Sequence, residues 1–196
     1  MTTGIFGGSF NPPHLGHLVV AEACAQAAGL DRVLWMPAAM SPHKQGDPSL
    51  APAAARLAMV KAAVAGNDRF AVSDLEVVRQ GVSYTVDTLR ALAEMGTGEL
   101  ALIVGGDSLA GFPTWREPQA IARLARLVVY RRPGDGVDLG VLPEAVAARV
   151  TVVDGPYLHV SSTEIRARIA AGRTVRYLVP DGVRALIEAE GLFGIG

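Results

Sequence analysis

Gly4-Ile5-Phe6-Gly7-Gly8-Ser9-Phe10-Asn11-Pro12-Pro13-His14-Leu15-Gly16-His17 is the stretch whose reading decides the fold. Gly4 to Phe6 reads as a short apolar strand running into paired glycines, and residues without a Cβ let backbone N–H groups approach an anionic ligand closely. Pro12 and Pro13 end the extended segment and can pre-set the first turn of a helix. His14 and His17 follow at i and i+3, so both imidazoles project from one face of that turn. The positive end of the helix dipole falls at the same spot. Glycine amides, dipole and two imidazoles together describe a phosphate site. A plain strand–turn–helix with two helix-capping histidines is the other reading these residues allow.

Outward from this stretch, apolar strand-like runs alternate with helical patterns to the end of the chain. Strands are expected at Thr3–Phe6, Val33–Pro37, Phe70–Val72, Leu100–Val104, Leu127–Tyr130 and Val150–Val153. Helices are expected at about His14–Ala28, Pro52–Ala65, Thr85–Met95, Pro118–Arg123, Ser162–Ala171 and Pro180–Glu190. Near-continuous Val/Ile/Leu strands separated by helices argue an α/β fold, a Rossmann-like doubly wound parallel sheet with helices on both faces. In such a fold the site lies at the carboxyl ends of the strands. The Pro/Ser/Gly-rich piece Ala38–Pro52 reads as a long surface loop of the lid type. Pro133–Pro143 reads as a plain connection.

The 196 residues fit one domain, its C-terminal part from about residue 155 a helical subregion. Half the residues are hydrophobic and the formal net charge is −1, so no basic excess points to nucleic acid. No apolar run approaches membrane-spanning length, and the N-terminus enters a strand without a basic, then apolar, leader. The single cysteine, Cys24, cannot form an internal disulfide and reads as core packing. A cytoplasmic setting is expected. Sixteen of the eighteen basic residues are arginine, so single arginines are weak signals, whereas Lys44 is one of only two lysines.

Four further segments carry candidate chemistry. Ser161 and Glu164 have capping-box spacing in His159-Val160-Ser161-Ser162-Thr163-Glu164-Ile165-Arg166, so a helix should begin just after Ser161. Its first-turn amides, hydroxyls and Arg166 can hold phosphates, though a capping box beside a solvated arginine is common. Gly105-Gly106-Asp107-Ser108 puts a carboxylate at the sheet's carboxyl edge, where ribose hydroxyls usually sit, or simply caps a turn into a helix. Trp115 follows in a proline-broken loop; an isolated tryptophan is more often core than ligand platform. Gly81-Val82-Ser83-Tyr84-Thr85-Val86-Asp87-Thr88-Leu89 opens a helix whose N-terminus suits a carboxylate or is merely well capped.

Taken together, these motifs resemble those of the nucleotidylyltransferase superfamily, and most closely the bacterial nicotinate mononucleotide adenylyltransferases. GGSFNPPHLGH is similar to the family's H-x-G-H phosphate motif, with Asn11 where Asp is usual; both residues cap helices well, so only a role for negative charge is affected. The resemblance extends through P-H-K at Lys44, S-Y-T-x-D-T-L, G-G-D-S with a following tryptophan, R-P-G at Arg132, S-S-T-x-I-R, and Tyr177–Val183, covering essentially the whole chain. It implies that His14 and His17 are catalytic. It implies ATP binding by Gly7, Gly8, Ser9, Phe10 and Arg132, contact of Gly105 and Asp107 with the adenosine, and β- and γ-phosphate binding by Ser161, Ser162 and Arg166. It further implies that Ser83, Tyr84 and Thr85 grip a nicotinate carboxylate, that Trp115 stacks on the pyridine ring, and that Lys44 touches substrate or phosphate. His159 and Arg131 fall outside the motifs; His159 is expected to be structural and Arg131 surface.

The implied reaction joins ATP and nicotinate mononucleotide into nicotinate adenine dinucleotide with release of pyrophosphate. The nucleophile is an already ionised phosphate, so alignment and charge neutralisation matter more than a protein base. Mg²⁺, which prefers phosphates and water, is expected to arrive with ATP rather than in a protein cage. Zinc on His14 and His17 lacks a third ligand at a plausible local spacing. Rivals within the superfamily are a nicotinamide mononucleotide preference and phosphopantetheine adenylyltransferase, which would not be expected to carry the Y-T-x-D-T-L and G-G-D-S elements. A non-catalytic nucleotide-sensing module is the rival from another class. A Rossmann dehydrogenase would need G-x-G-x-x-G where this chain has histidines.

Overall fold

The computed structural model describes residues 1–132, 134 and 136–194. Its strands are β1 (Thr2–Gly8), β2 (Arg32–Pro37), β3 (Phe70–Val72), β4 (Glu99–Gly105), β5 (Ala125–Arg131) and β6 (Thr151–Asp154). The helices are α1 (Leu15–Ala27), α2 (Ala53–Val64), α3 (Leu75–Arg79), α4 (Thr85–Glu94), α5 (Gly106–Gly111), α6 (Pro118–Leu124), α7 (Glu144–Ala147), α8 (Ser162–Ala170) and α9 (Asp181–Ala189). The strands form a six-stranded parallel sheet in the order β3-β2-β1-β4-β5-β6, flanked by helices on both faces. This is the doubly wound order expected from the sequence, reversing between β1 and β4. The carboxyl ends of those two strands are Gly8 and Gly105, where both glycine pairs stand.

Every expected strand and long helix is present, with ends shifted by up to two residues. Buried parallel strands cannot expose an apolar face, so β4 buries Leu100 through Val104 without interruption. Parallel register sets Thr3 opposite Leu100 and Leu102 opposite Leu127. The pieces the sequence reading lacks are α3, α5 and α7, of five, six and four residues. Helices that short do not complete enough turns to show a period. Within the expected 133–143 connection, Pro133 and Asp135 lie outside the described residues, and a 3₁₀ turn occupies Leu139–Val141.

The chain gathers into two compact units, each discontinuous in sequence: Met1–Gly7, Val19–Leu34 and Tyr84–Tyr157 in the first, and Gly8–Leu18, Trp35–Ser83 and Leu158–Gly196 in the second. The first unit has β4 and β5 at its centre, with Leu89, Leu102, Leu109, Ile121 and Val128 fully or nearly fully buried. Cys24 is buried here too, and burial pushes its thiol up to about 12, so the side chain behaves as an apolar filler. In the second unit α2, α8 and α9 share a core of Met59, Ala63, Ile165, Ile169, Val183 and Ile187, with Val175 and Val179 closing it. That core holds the start of α8 in place.

Candidate active site

The turn after β1 is built differently from its sequence reading in three respects. β1 runs on to Gly8, so the glycines end the strand instead of forming the turn, and Gly8 O accepts the Ala38 N–H at 3.0 Å. A Cβ on Gly8 would lie 3.1 Å from the Phe10 ring, whereas one on Gly7 would meet nothing within 4 Å. The turn proper is Ser9–Pro13, with Phe10 in the left-handed region (φ 47°) and a cis Asn11–Pro12 bond. The buried Phe10 ring packs on Trp35 and edge-on to His17, each at 5.2 Å. Finally, Asn11 is not a helix cap. Its buried amide is a clamp: Nδ2 donates to Ser49 O at 2.8 Å and Oδ1 accepts the Ala51 N–H at 3.0 Å.

α1 begins at Leu15, one residue later than expected, with His14 as its leading flank. The His14 N–H donates to His17 Nδ1 at 3.1 Å, and His14 O accepts the N–H of His17 at 2.9 Å. The two rings stack at 3.7 Å between centroids, on one face as the i, i+3 spacing requires. Because His17 Nδ1 accepts a backbone proton, the ring's own proton belongs on Nε2. Desolvation lowers the His14 imidazole to about 4, and desolvation followed by the charge of His14 holds His17 well below its ordinary value. At neutral pH both rings are uncharged donors. The buried Nδ1 of His14 has no hydrogen-bond partner among the described residues. The glycine between the histidines is required by packing, since a Cβ on Gly16 would come within about 3 Å of His14 and Val160.

The Ser161–Arg166 segment docks onto the histidine turn. Ser161 caps α8, its Oγ accepting the Glu164 N–H at 3.1 Å, as the capping-box spacing foretold. Ser162 Oγ donates to Pro12 O at 2.8 Å, and Arg166 Nη1 donates to Asn11 O at 2.9 Å. These two side chains therefore spend one donor each on the histidine-bearing turn, leaving the rest of the Arg166 fork and the Ser161 hydroxyl proton for a ligand. Lys44 ends a 3₁₀ turn (Pro42–Lys44) and pairs with Asp47 at 3.1 Å. Hydrogen bonds from Ser49, then Lys44, hold the Asp47 carboxyl down at about 2. Buried Ser83 accepts the Ala39 N–H on its Oγ at 3.0 Å, so it fastens the start of the 38–52 loop.

The remaining candidates lie in the first unit. Gly105 precedes α5, and a Cβ there would be 2.6 Å from Asp107 Oδ1, so a side chain at this position would make the Asp107 carboxylate shift. Asp107 pairs with Arg132 at 3.6 Å, bringing together two residues 25 positions apart. Half-buried Trp115 leans on Phe112 at 5.5 Å, beyond a 3₁₀ turn at Phe112–Thr114. Tyr84 and Thr85 begin α4, and no side chain caps that helix, so the alternative reading of a merely well-capped start does not hold. No basic residue lies inside Ser83–Thr88. Tertiary structure supplies one: Arg116 sits 4.7 Å over the Tyr84 ring and pairs with Asp87 at 3.4 Å. His159 is exposed, as is Arg131, whose ion pair with Asp154 measures 2.5 Å.

The turn with its two neutral, stacked imidazoles is clamped to the start of α8 through Ser162 and Arg166. The family model for cytidylyltransferase-like proteins matches residues 5–168. A relative from Salinibacter ruber, named as a probable nicotinate-nucleotide adenylyltransferase, is 48% identical over 194 residues, covering 98% of both chains. The chain belongs to the nicotinate-nucleotide adenylyltransferase family. Another relative of the same name, from Roseiflexus sp., is 48% identical over 193 residues, covering 97% of this chain and 96% of its own. The fold is shared with the Plasmodium falciparum nicotinic acid mononucleotide adenylyltransferase solved with NaAD, at TM-score 0.79 and 18% identity over 98% of this chain and 97% of that one.

Proposed function

We propose that this protein transfers the adenylyl group of ATP to nicotinate mononucleotide, giving nicotinate adenine dinucleotide and pyrophosphate in a cytoplasmic route to NAD. The observation that carries this reading is the docking of α8 on the histidine turn, through Ser162 to Pro12 and Arg166 to Asn11. It puts two anion-binding helix starts side by side, as a triphosphate needs. No helix among the described residues is long and apolar enough to cross a membrane.

The chemistry asks little of a base. The mononucleotide phosphate is ionised at neutral pH, and its oxygen attacks the α-phosphorus while the bond to the pyrophosphate oxygen breaks. His17 donates from Nε2, and His14 presents its own N–H, to oxygens whose negative charge grows in the transition state. Neutral imidazoles suit this task because each keeps one N–H donor without needing a buried counter-anion. Ser161, Ser162 and Arg166 hold the departing phosphates, Gly7, Gly8, Ser9 and Phe10 line the approach, and Asp107 with Arg132 meets the adenosine end. The histidine turn offers imidazoles and amides rather than carboxylates, a donor set that fits Mg²⁺ carried in on ATP by phosphate oxygens and water. Lys44, released from Asp47, serves the incoming phosphate.

Nicotinate differs from nicotinamide by a full negative charge. The uncapped start of α4 favours an anion at Tyr84 and Thr85, and Arg116 adds a cation over the Tyr84 ring. Trp115 offers a stacking surface for the pyridine. We expect kcat/KM for nicotinate mononucleotide to exceed that for nicotinamide mononucleotide roughly 10- to 1,000-fold. Pyrophosphate release measured with each mononucleotide at saturating ATP tests this directly. Equal efficiencies would refute the nicotinate assignment, and no release with either would refute the reaction.

A further inference from the structure

The buried stripe of α2 is Ala55, Arg56, Met59, Val60, Ala63 and Val64, a helical repeat with one charge in it. Arg56 is 1% exposed, and no carboxylate pairs with it among the described residues. Its partners are four backbone carbonyls. Nε donates to Ala51 O at 2.9 Å, Nη1 to Ser9 O at 2.9 Å and Ala38 O at 2.6 Å, and Nη2 to Ala39 O at 2.7 Å. A buried cation without an anion is costly, and here the cost is offset by hydrogen bonds to four carbonyls that an apolar side chain would leave without a donor.

Those four carbonyls belong to one mechanical unit. Ser9 lies in the phosphate-binding turn, Ala38 and Ala39 open the 38–52 loop that carries Lys44, and Ala51 ends it beside the Asn11 clamp. In a trans peptide the C=O and the following N–H point in opposite directions. Ala38 O turned toward Arg56 sends the Ala39 N–H the other way, onto Ser83 Oγ. By the same geometry, Ser9 O held by Arg56 turns the Phe10 N–H away from the guanidinium.

We propose that Arg56 is a positioning residue for adenylyl transfer: its planar fork fixes the peptide planes of the histidine turn and of both ends of the Lys44 loop, and its unpaired charge lies behind that turn as a field favouring phosphate. The inference rests on the adenylyltransferase reading. Lysine keeps the charge but cannot reach four carbonyls in a plane, so Arg56→Lys separates fork from charge.

The test uses full-length wild type, Arg56→Lys, Arg56→Gln and, for chemical rescue, Arg56→Gly, with three readouts: melting temperature, calorimetric affinity for inorganic pyrophosphate, and kcat and KM for both substrates. For folded Arg56→Lys we expect pyrophosphate binding weakened and kcat/KM lowered, each roughly 10- to 100-fold, with Arg56→Gln worse. Methylguanidinium should restore part of the activity of Arg56→Gly, and urea at equal concentration should not. Wild-type pyrophosphate affinity and kinetics in folded Arg56→Lys would overturn the proposal. So would a series in which no variant folds, because the arginine would then serve the fold alone. Pyrophosphate binding is independent of the acceptor, so a wild type that binds it yet forms no dinucleotide would sink the functional reading and leave the Arg56 comparison intact.

Discussion

Acid should destabilise this protein through the histidine turn, by an amount the burial of His14 sets. Its imidazole titrates near 6.5 when unfolded and at about 4 in the fold, so between those values the unfolded chain binds more protons than the native one. Stability from neutral His14 is therefore whole above about pH 6.5 and lost as the pH falls toward 4. Integrating the linkage gives a loss of about 0.2 kcal/mol at pH 7 and about 2 kcal/mol at pH 5. For a chain of this length that difference corresponds to roughly 4–7 °C in Tm. His17 shifts in the same direction and adds to the loss. The assay is thermal unfolding of wild type and His14→Asn at pH 7 and pH 5, read by circular dichroism. Asparagine does not titrate, so the acid-induced fall in Tm should shrink by at least that margin in the variant. Identical falls in the two proteins would show that His14 is freely protonated in the fold and would undo the argument for a neutral donor.

Three other outcomes follow from the same geometry. His17→Ala removes a donor aimed at phosphate and should cut kcat roughly 100- to 1,000-fold with the melting temperature little changed, so near-wild-type turnover would remove it from the chemistry. Trp115→Ala should weaken mononucleotide binding by roughly 1–3 kcal/mol while ATP binding stays constant; equal loss for both ligands would make Trp115 a core residue. Asn11→Ala forfeits both clamp bonds and should cost about 2 kcal/mol in chemical unfolding, whereas Asn11→Asp keeps the acceptor for Ala51 N–H and should cost about half as much. An aspartate variant as unstable as alanine would mean that the Ala51 bond contributes nothing.

What could be read from the sequence was whatever is periodic or local. Alternating apolar runs gave the doubly wound sheet because a strand buried on both faces must be apolar throughout, as in β4. Ser161 with Glu164 gave the start of α8 because a cap acts over three residues. Long-range partners were beyond reach. Nothing near Tyr84 foretells an arginine stacked on its ring from 32 residues downstream. Asn11 looked like a cap because the residues it clamps are 38 and 40 positions away. Arg56 left one usable trace: a charge in phase with the Ala/Met/Val stripe of α2, where an amphipathic helix places only apolar groups.

The two halves of the candidate site are also far apart along the chain. Ser162 and Arg166, which fasten to the histidine turn, lie 150 and 155 positions after the residues they hold. Loops of that length close slowly, since their entropy is spent before the contacts repay it. The contact between the histidine turn and α8 is therefore among the slow steps of folding, and a partly folded chain carries its histidines without the anchors that hold their turn.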